Sequence, residues 1–210
     1  MGLRYPVRAR TWRELNDAAF PGQVNQPEVY AHHLYDTQTY LDNATTQLTF
    51  FAATQADRSL SNLQTGGQLE DPQFFDIWGI SCSAWADAGY VTTAAGGVTG
   101  AIDDLGLLIV QGRPRLTLQI SDKQYGPWKL ESCHAMGGPV GFGWGTFTAE
   151  ESLQYSNNGP PDGGLWVGGS ITIPPKVGWR MTVDWPAAVN LTDDYRICIG
   201  LFGVLSRAVR

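Results

Sequence analysis

Side chains that could perform catalysis or bind a metal are few in this chain of 210 residues, and their spacing is unfavourable. The three histidines are His32, His33 and His134. His32 and His33 are adjacent, so in an extended chain they point in opposite directions and do not share a metal ion. His134 follows Cys133, but neighbours on a strand face opposite sides, which works against the hydrogen bond between a nucleophile and its base. We therefore expect no catalytic residue and no metal ligand among them.

A second group of side chains has the chemistry of glycoside hydrolysis. Glu150, Glu151 and Asp162 supply carboxylates, and eight tryptophans could line a sugar groove. The two glutamates again split across the faces of a strand, and Trp179 and Trp185 lie on an alternating apolar face that belongs to the core. A carbohydrate-active or carbohydrate-binding protein therefore stays the alternative function. Tryptophans on the solvent face of a sheet would favour it.

Motifs for cofactors are missing as well. The sequence has no phosphate-binding loop, no zinc-protease motif and no nucleophile elbow, and the glycines of residues 141–145 alternate with aromatics as at a strand edge. Cys82, Cys133 and Cys198 form no CxxC pair, which argues against a structural zinc site and a disulfide framework. We expect a protein without a cofactor, without a metal and without enzymatic activity.

Charge is distributed unevenly along the chain, whose net charge is -6. Residues 1–13 carry four arginines and no acid, residues 207–210 add two arginines, and the 193 residues between hold 8 basic and 20 acidic side chains. A basic arm on an acidic body predicts docking onto an acidic surface of a neighbouring copy or another protein. Nucleic acid is disfavoured as a partner because four arginines make a thin patch. The candidate interaction residues of the arm are Arg4, Arg8, Arg10, Trp12 and Arg13.

The elements that would position these residues begin with the arm itself. Thr11 and Glu14 fit a capping box, which predicts a short helix that ends at Pro21-Gly22. Residues 23–42 are polar and without a clear period. This pattern predicts an extended basic arm over residues 1–44 and a compact body over residues 45–210.

Strand patterns dominate the body. In the clearest of them, Leu116, Leu118 and Ile120 alternate with polar neighbours. Near the C-terminus Ile197, Ile199 and Leu201 alternate with Arg196, Cys198 and Phe202, and Gly/Pro turns separate one strand from the next. Residues 101–110 instead have helical spacing, which predicts one inserted helix before Gly112. The pattern predicts an all-β fold, a single jelly-roll β-sandwich with an extended N-terminal arm and one short inserted helix. The predicted strands are residues 48–52, 74–80, 116–120, 166–173, 179–185 and 195–205.

Three stretches of the body resemble structural proteins of bacteriophage virions. They are residues 39–73, with Leu48-Thr49-Phe50-Phe51; residues 102–141, with Leu116-Thr117-Leu118-Gln119-Ile120 and Gly137-Gly138-Pro139; and residues 173–207, with Cys198-Ile199-Gly200-Leu201-Phe202. The resemblance extends from about residue 36 to the end and implies a jelly-roll shell component. Such a component is a cement (head decoration) protein or a small jelly-roll capsid protein, and no catalytic residues carry over.

Several expectations follow from this resemblance. It implies a homotrimer that binds the major capsid protein, is synthesised in the host cytoplasm and becomes part of the virion. The sequence agrees in two respects, since no apolar run is long enough for a membrane span and no secretion signal is evident. Low charge also lowers the cost of desolvating a surface at an interface between subunits.

Overall fold

A computed structural model describes residues 28–86, 104, 106–133, 139–140, 157–158, 165–191 and 193–207 of the chain. The arm residues Arg4 to Arg13 therefore lie outside the described residues, as do His134, Glu150, Glu151 and Asp162. The strands are β1 (Glu28–Tyr40), β2 (Gln47–Phe50), β3 (Gln73–Ala86), β4 (Arg115–Ile120), β5 (Lys123–Lys129), β6 (Pro139–Val140), β7 (Asn157–Asn158), β8 (Leu165–Ile173), β9 (Trp179–Asp184) and β10 (Tyr195–Arg207).

Eight of these strands form two antiparallel sheets of four. The first sheet has the order β1-β10-β3-β8 and the second the order β2-β9-β4-β5, while β6 and β7 pair with each other. The strand pairs are nested, because β1 pairs with β10, β2 with β9, β3 with β8 and β4 with β5. A long hairpin wrapped into two sheets in this way is a jelly roll. The predicted all-β sandwich is confirmed.

The core lies between the sheets, and period-two alternation places side chains there. In β9, Met181 and Val183 have no exposed surface and Trp179 is 3% exposed. Arg180, between Trp179 and Met181, faces solvent. Ile199 of β10 is fully buried in the same way. The phases predicted for β4, β9 and β10 are therefore correct, since each inward position removes apolar surface from water.

A β-bulge in β3 changes the direction of its side chains. The register between β10 and β3 shifts between Phe202 and Gly203, so that Trp78 and Gly79 together oppose Phe202. Gly203 is needed here because a Cβ atom at this position would collide with the backbone oxygen of Asp76. Ile77 and Ile80 on either side are both fully buried. The bulge therefore directs both Trp78 and Gly79 outward.

The inserted helix is short. Asp104 and Gly106 are helical, and Leu107–Gln111 forms a π-helical turn that ends where the Gly112 N–H donates to the Leu107 oxygen at 2.7 Å. The indole Nε1 of Trp185 donates to the Leu108 oxygen at 2.9 Å and anchors this turn to the end of β9. A helix therefore precedes β4 as predicted. No helix among the described residues is both long and apolar enough to cross a membrane.

Two parts of the predicted organisation require correction. Residues 28–40, predicted to belong to an extended arm, instead form β1, which pairs with β10 over its whole length. The sandwich thus begins at Glu28 and not at residue 45. The last strand, predicted to end at residue 205, instead ends at Arg207, which forms an ion pair with Glu28 at 2.6 Å. Both errors have one cause: β1 carries too many polar residues to show an apolar period.

Candidate interaction surface

The adjacent histidines lie on opposite sides of β1. His32 is half-buried and contacts the ring of Phe75 edge-on, while His33 is exposed and stacks on Phe202 with ring centroids 4.1 Å apart. Partial burial of each ring, which for His33 comes from its stacking on Phe202, lowers the pKa of both imidazoles, and the neighbouring charge of His32 further lowers the pKa of His33. The two rings are thus separated by the strand. Among the described residues no cluster of three or more His, Cys, Asp or Glu side chains could hold a metal.

The cysteines are structural in character. Cys82 and Cys133 are buried, and the Cys82 N–H donates to the Cys133 oxygen at 2.9 Å. Burial raises the pKa of the Cys133 thiol to about 12 and that of Cys82 well above its ordinary value. Cys198 is half-buried on the opposite face of the first sheet, and burial raises the pKa of its thiol as well. None of these thiols is activated as a nucleophile at neutral pH.

The described tryptophans divide between core and surface. Trp179 and Trp185 are 3% and 4% exposed and belong to the core. Trp78 and Trp85 of β3 are 38% and 42% exposed. Seven residues of a strand place them roughly 23 Å apart, which is too far for one sugar unit to contact both.

The outward side of the first sheet is nearly free of charge. We call it the outer face; β1, β10 and β3 build it from the residues that alternate with the core positions. Two charged residues occur among these outward positions, Asp76 and Arg196. Asp76 is 6% exposed and accepts a hydrogen bond from Thr172, so little of its charge reaches the surface. The other outward residues are Val29, Ala31, His33, Tyr35, Thr37, Thr39, Phe74, Trp78, Gly79, Ser81, Ser83, Trp85, Cys198, Gly200, Phe202, Val204 and Ser206.

An aromatic patch lies at the centre of the outer face. His33 stacks on Phe202 with an interplanar angle of 6°, and the ring of Tyr35 lies 5.7 Å from that of His33. Trp78 is next to this pair because the bulge sets it opposite Phe202. Gly200 makes room for the patch, since a Cβ atom there would collide with Nε2 of His33. Aromatic side chains with polar ends are enriched at interfaces between proteins.

Part of the free edge of β1 is covered by the connection between β2 and β3. Tyr35 donates its N–H to Oδ1 of Asn62 at 2.9 Å, and Nδ2 of Asn62 donates to the His33 oxygen at 2.6 Å. Nε2 of Gln55 donates to the Thr37 oxygen at 2.6 Å. These side chains take the place of a neighbouring strand along residues 33–37. The sequence offered no signal for them, because Asn62 is 27 residues from Tyr35.

A cleft on the second sheet carries a local positive charge. It has a volume of about 330 Å³ and is bordered by Arg113, Arg115, Lys129 and Glu131 around an apolar base. Lys129 pairs with Glu131 at 3.0 Å, so part of the charge is neutralised. Three cations beside one acid make a small basic patch.

Comparison with known proteins gives no match to this chain among family models, curated proteins or solved structures.

Proposed function

We propose that the chain is a non-enzymatic structural component of a bacteriophage virion, a capsid cement (head decoration) protein or a small shell protein. In this role it stabilises the particle through self-association, as a homotrimer, and through binding to the lattice of the major capsid protein. It is made in the host cytoplasm and works in the capsid. The sequence resemblance described above suggests this function.

The outer face is the observation that carries the proposal. Thr37, Asp76, Ser81, Val204 and Ser206 of this face are already buried. Its exposed part, with His33, Trp78 and Trp85, carries little charge and is inexpensive to desolvate, and desolvation of polar groups is one of the costs of forming an interface. The body that carries this face is otherwise acidic, with 20 acidic and 8 basic side chains between residues 14 and 206. A charge-poor face on a charged body is typical of a protein that binds through that face.

The remaining supports are architectural. Jelly rolls occur in viral shells, although the same fold also serves lectins and cupins, so the fold alone does not decide function. In a symmetric particle a modest contact is repeated many times, and avidity then makes attachment strong. The basic arm supplies a second contact, because Arg4, Arg8, Arg10 and Arg13 oppose the charge of an acidic neighbour.

Co-sedimentation with purified phage capsids tests this proposal. We expect the chain to sediment with the capsids and Trp78→Ala to weaken binding about 10-fold or more, because it removes a central aromatic contact. Arg180→Ala, an exposed change on the outward side of the second sheet, is the matched control and keeps wild-type binding. A chain that stays in the supernatant at every concentration contradicts the proposal.

Carbohydrate binding is the second candidate function, and the exposure of Trp78 and Trp85 on β3 favours it. Aromatic rings at a sheet surface can stack on sugar rings. A glycan array with the purified chain, followed by a hydrolysis screen, separates the two functions. Glycan binding that is lost in Trp85→Ala, with no binding to capsids, would favour the carbohydrate function. Hydrolysis that disappears in Glu150→Gln/Glu151→Gln would make the protein an enzyme.

A further inference from the structure

One edge of the first half of β1 has no neighbouring strand among the residues that the structure describes. Tyr35 and Thr37 direct their backbone groups away from β10, as their bonds to Asn62 and Gln55 demonstrate. Alternate residues of a strand point to the same edge, so Val29 and Ala31 direct their N–H and C=O groups there too. None of the residues that the structure describes bonds to these groups of Val29 and Ala31, and Ala31 is exposed. The cover that the described residues give to this edge therefore stops at His33.

This free edge lacks the features with which proteins protect exposed strands. β5, at the edge of the second sheet, carries Lys123, Pro127 and Lys129, and β2 is only four residues long. Charges, proline and short length all hinder the addition of a further strand. Residues 29–33 have no lysine and no proline, and they pair with β10 without a register shift. Within the part of the chain that the structure describes, β5 is thus protected and this part of β1 is open.

We propose that residues 29–33 of β1 pair antiparallel with the same residues of a second copy, about a two-fold axis at Ala31. This pairing joins two β1-β10-β3-β8 sheets into one sheet of eight strands. It gives a specific geometry to the self-association in the proposed function. It rests on the self-association alone, because the pairing needs no capsid. The contacts of the proposed homotrimer, about a three-fold axis, involve other surfaces of the molecule.

The residues at the axis are self-complementary, as a two-fold contact requires. Antiparallel pairing centred on Ala31 sets Ala31 opposite its own copy and Val29 opposite His33. The carbonyl of His33 already accepts from Asn62, but a carbonyl has a second lone pair for the incoming N–H. Glu28, the nearest charge, is paired with Arg207 at 2.6 Å, so the axis does not bring two unpaired acids together. The length of the pairing is also limited, because the side chain of Asn62 occupies the edge of β1 at Tyr35.

Light scattering during size-exclusion chromatography of the full chain tests the pairing. We expect Ala31→Lys to halve the measured mass, because two lysines then face each other across the axis. Without other contacts the mass falls from twice the 22.9 kDa of one chain to that of a single chain. Thr39→Lys is the matched control. It lies on the same strand and face as Ala31 but beyond residues 33–37, which Asn62 and Gln55 cover, and it keeps the wild-type mass. A monomeric wild type, or a mass that Ala31→Lys leaves unchanged, overturns the proposal.

A cross-link keeps the proposal testable if Ala31→Lys fails to fold. In a Cys198→Ser background, Ala31→Cys should form a disulfide-linked dimer with oxidised glutathione, which takes up the two thiol hydrogens as two reduced glutathiones. Residues opposite each other in an antiparallel pair have Cα atoms about 5.5 Å apart, within reach of a disulfide. Thr39→Cys lies roughly 26 Å from the axis along the strand and should form none. Absence of the Ala31→Cys dimer overturns the pairing even if the chain binds capsids.

Discussion

The buried carboxylate of Asp36 connects three segments of the chain at the edge of the sandwich. Asp36 has no exposed surface and accepts hydrogen bonds from the Phe51 N–H at 2.6 Å and from the side chains of Gln38 and Gln55. Phe51 follows β2 with a φ of 63°, a left-handed conformation that is costly for a large side chain. The carboxylate thus holds a strained turn in place, and with it the side chain of Gln55 that covers the edge of β1.

Replacing Asp36 tests this role. Asp36→Ala leaves the buried Phe51 N–H without an acceptor and removes one of the two acceptors of the Gln55 amide, so we expect it to lower the free energy of unfolding by about 2–4 kcal/mol. Asp57→Ala, at an exposed aspartate of the same connection, should lower it far less. Urea unfolding followed by tryptophan fluorescence measures both. Equal effects of the two substitutions would show that Asp36 does not hold the turn.

The histidines of β1 make stability depend on pH. Burial lowers the pKa of His32 and of His33 in the folded chain, so the unfolded chain binds more protons once the pH falls below about 6.5. The stabilisation is complete above that pH and is lost as the pH falls towards the folded-state values. We expect Tm to decrease between about pH 7.5 and about pH 5.5 and His32→Gln/His33→Gln to remove part of this slope. An unchanged slope in the double variant contradicts the explanation.

At the scale of the elements, burial of one face determines which side chains of a strand point to the core. Strand β9 buries every second residue, and a shift by one residue would expose the whole apolar set. β1 and β5 lack this constraint. β1 directs Asp36 inward and buries Thr37 on its other face, while β5 is exposed along most of its length. Pairing with β10 and β4 holds them in place instead.

A matched pair of charged substitutions tests the phase of β9. Val183→Asp buries a carboxylate without a partner between the sheets, at a cost of several kcal/mol, roughly the size of the whole stability of a small domain. We expect this variant to be insoluble or unfolded. Thr182→Asp, one residue away on the outward side, should fold and show the wild-type circular dichroism spectrum. Folded, soluble Val183→Asp would mean that the inward face is assigned wrongly.

At the scale of the whole molecule, the chain combines two surfaces of different chemistry. The outer face is nearly uncharged, whereas the exposed acids belong to loops and strand ends such as Asp57, Asp71 and Asp122. The arm adds positive charge ahead of Glu28, where the sandwich begins. A virion protein could use the outer face for close packing and the arm for attraction to an acidic neighbour.

Two N-terminal truncations separate the arm from the sandwich. Deletion of residues 1–22 should leave the circular dichroism spectrum and Tm unchanged, because β1 starts at Glu28, while binding to capsids becomes weaker as the arginines are lost. Deletion of residues 1–44 removes β1 with Leu34, Asp36 and Tyr40 from the core and should abolish folding. Unfolding by the short deletion, or full capsid binding after it, contradicts this division.

Much of the fold could be read from the sequence alone. Alternation of apolar and polar residues determined the strands β4, β9 and β10 and the side of each that faces the core, because a half-buried strand repeats every two residues. Glycine and proline marked the turns, and helical spacing marked the segment ahead of Gly112. Together these local signals were sufficient for the all-β jelly roll with one short helix.

Only the tertiary structure decided the candidate surface. Trp78 faces outward because a bulge opposite Phe202 adds one residue to β3, and no local pattern reveals a bulge that depends on a glycine of another strand. The cover that Asn62 gives to Tyr35 joins residues 27 positions apart. β1 became a strand through pairing with β10, at the far end of the chain. Contacts between distant segments are set by packing and not by neighbours in sequence, which is why the free edge at Ala31 could not be foreseen.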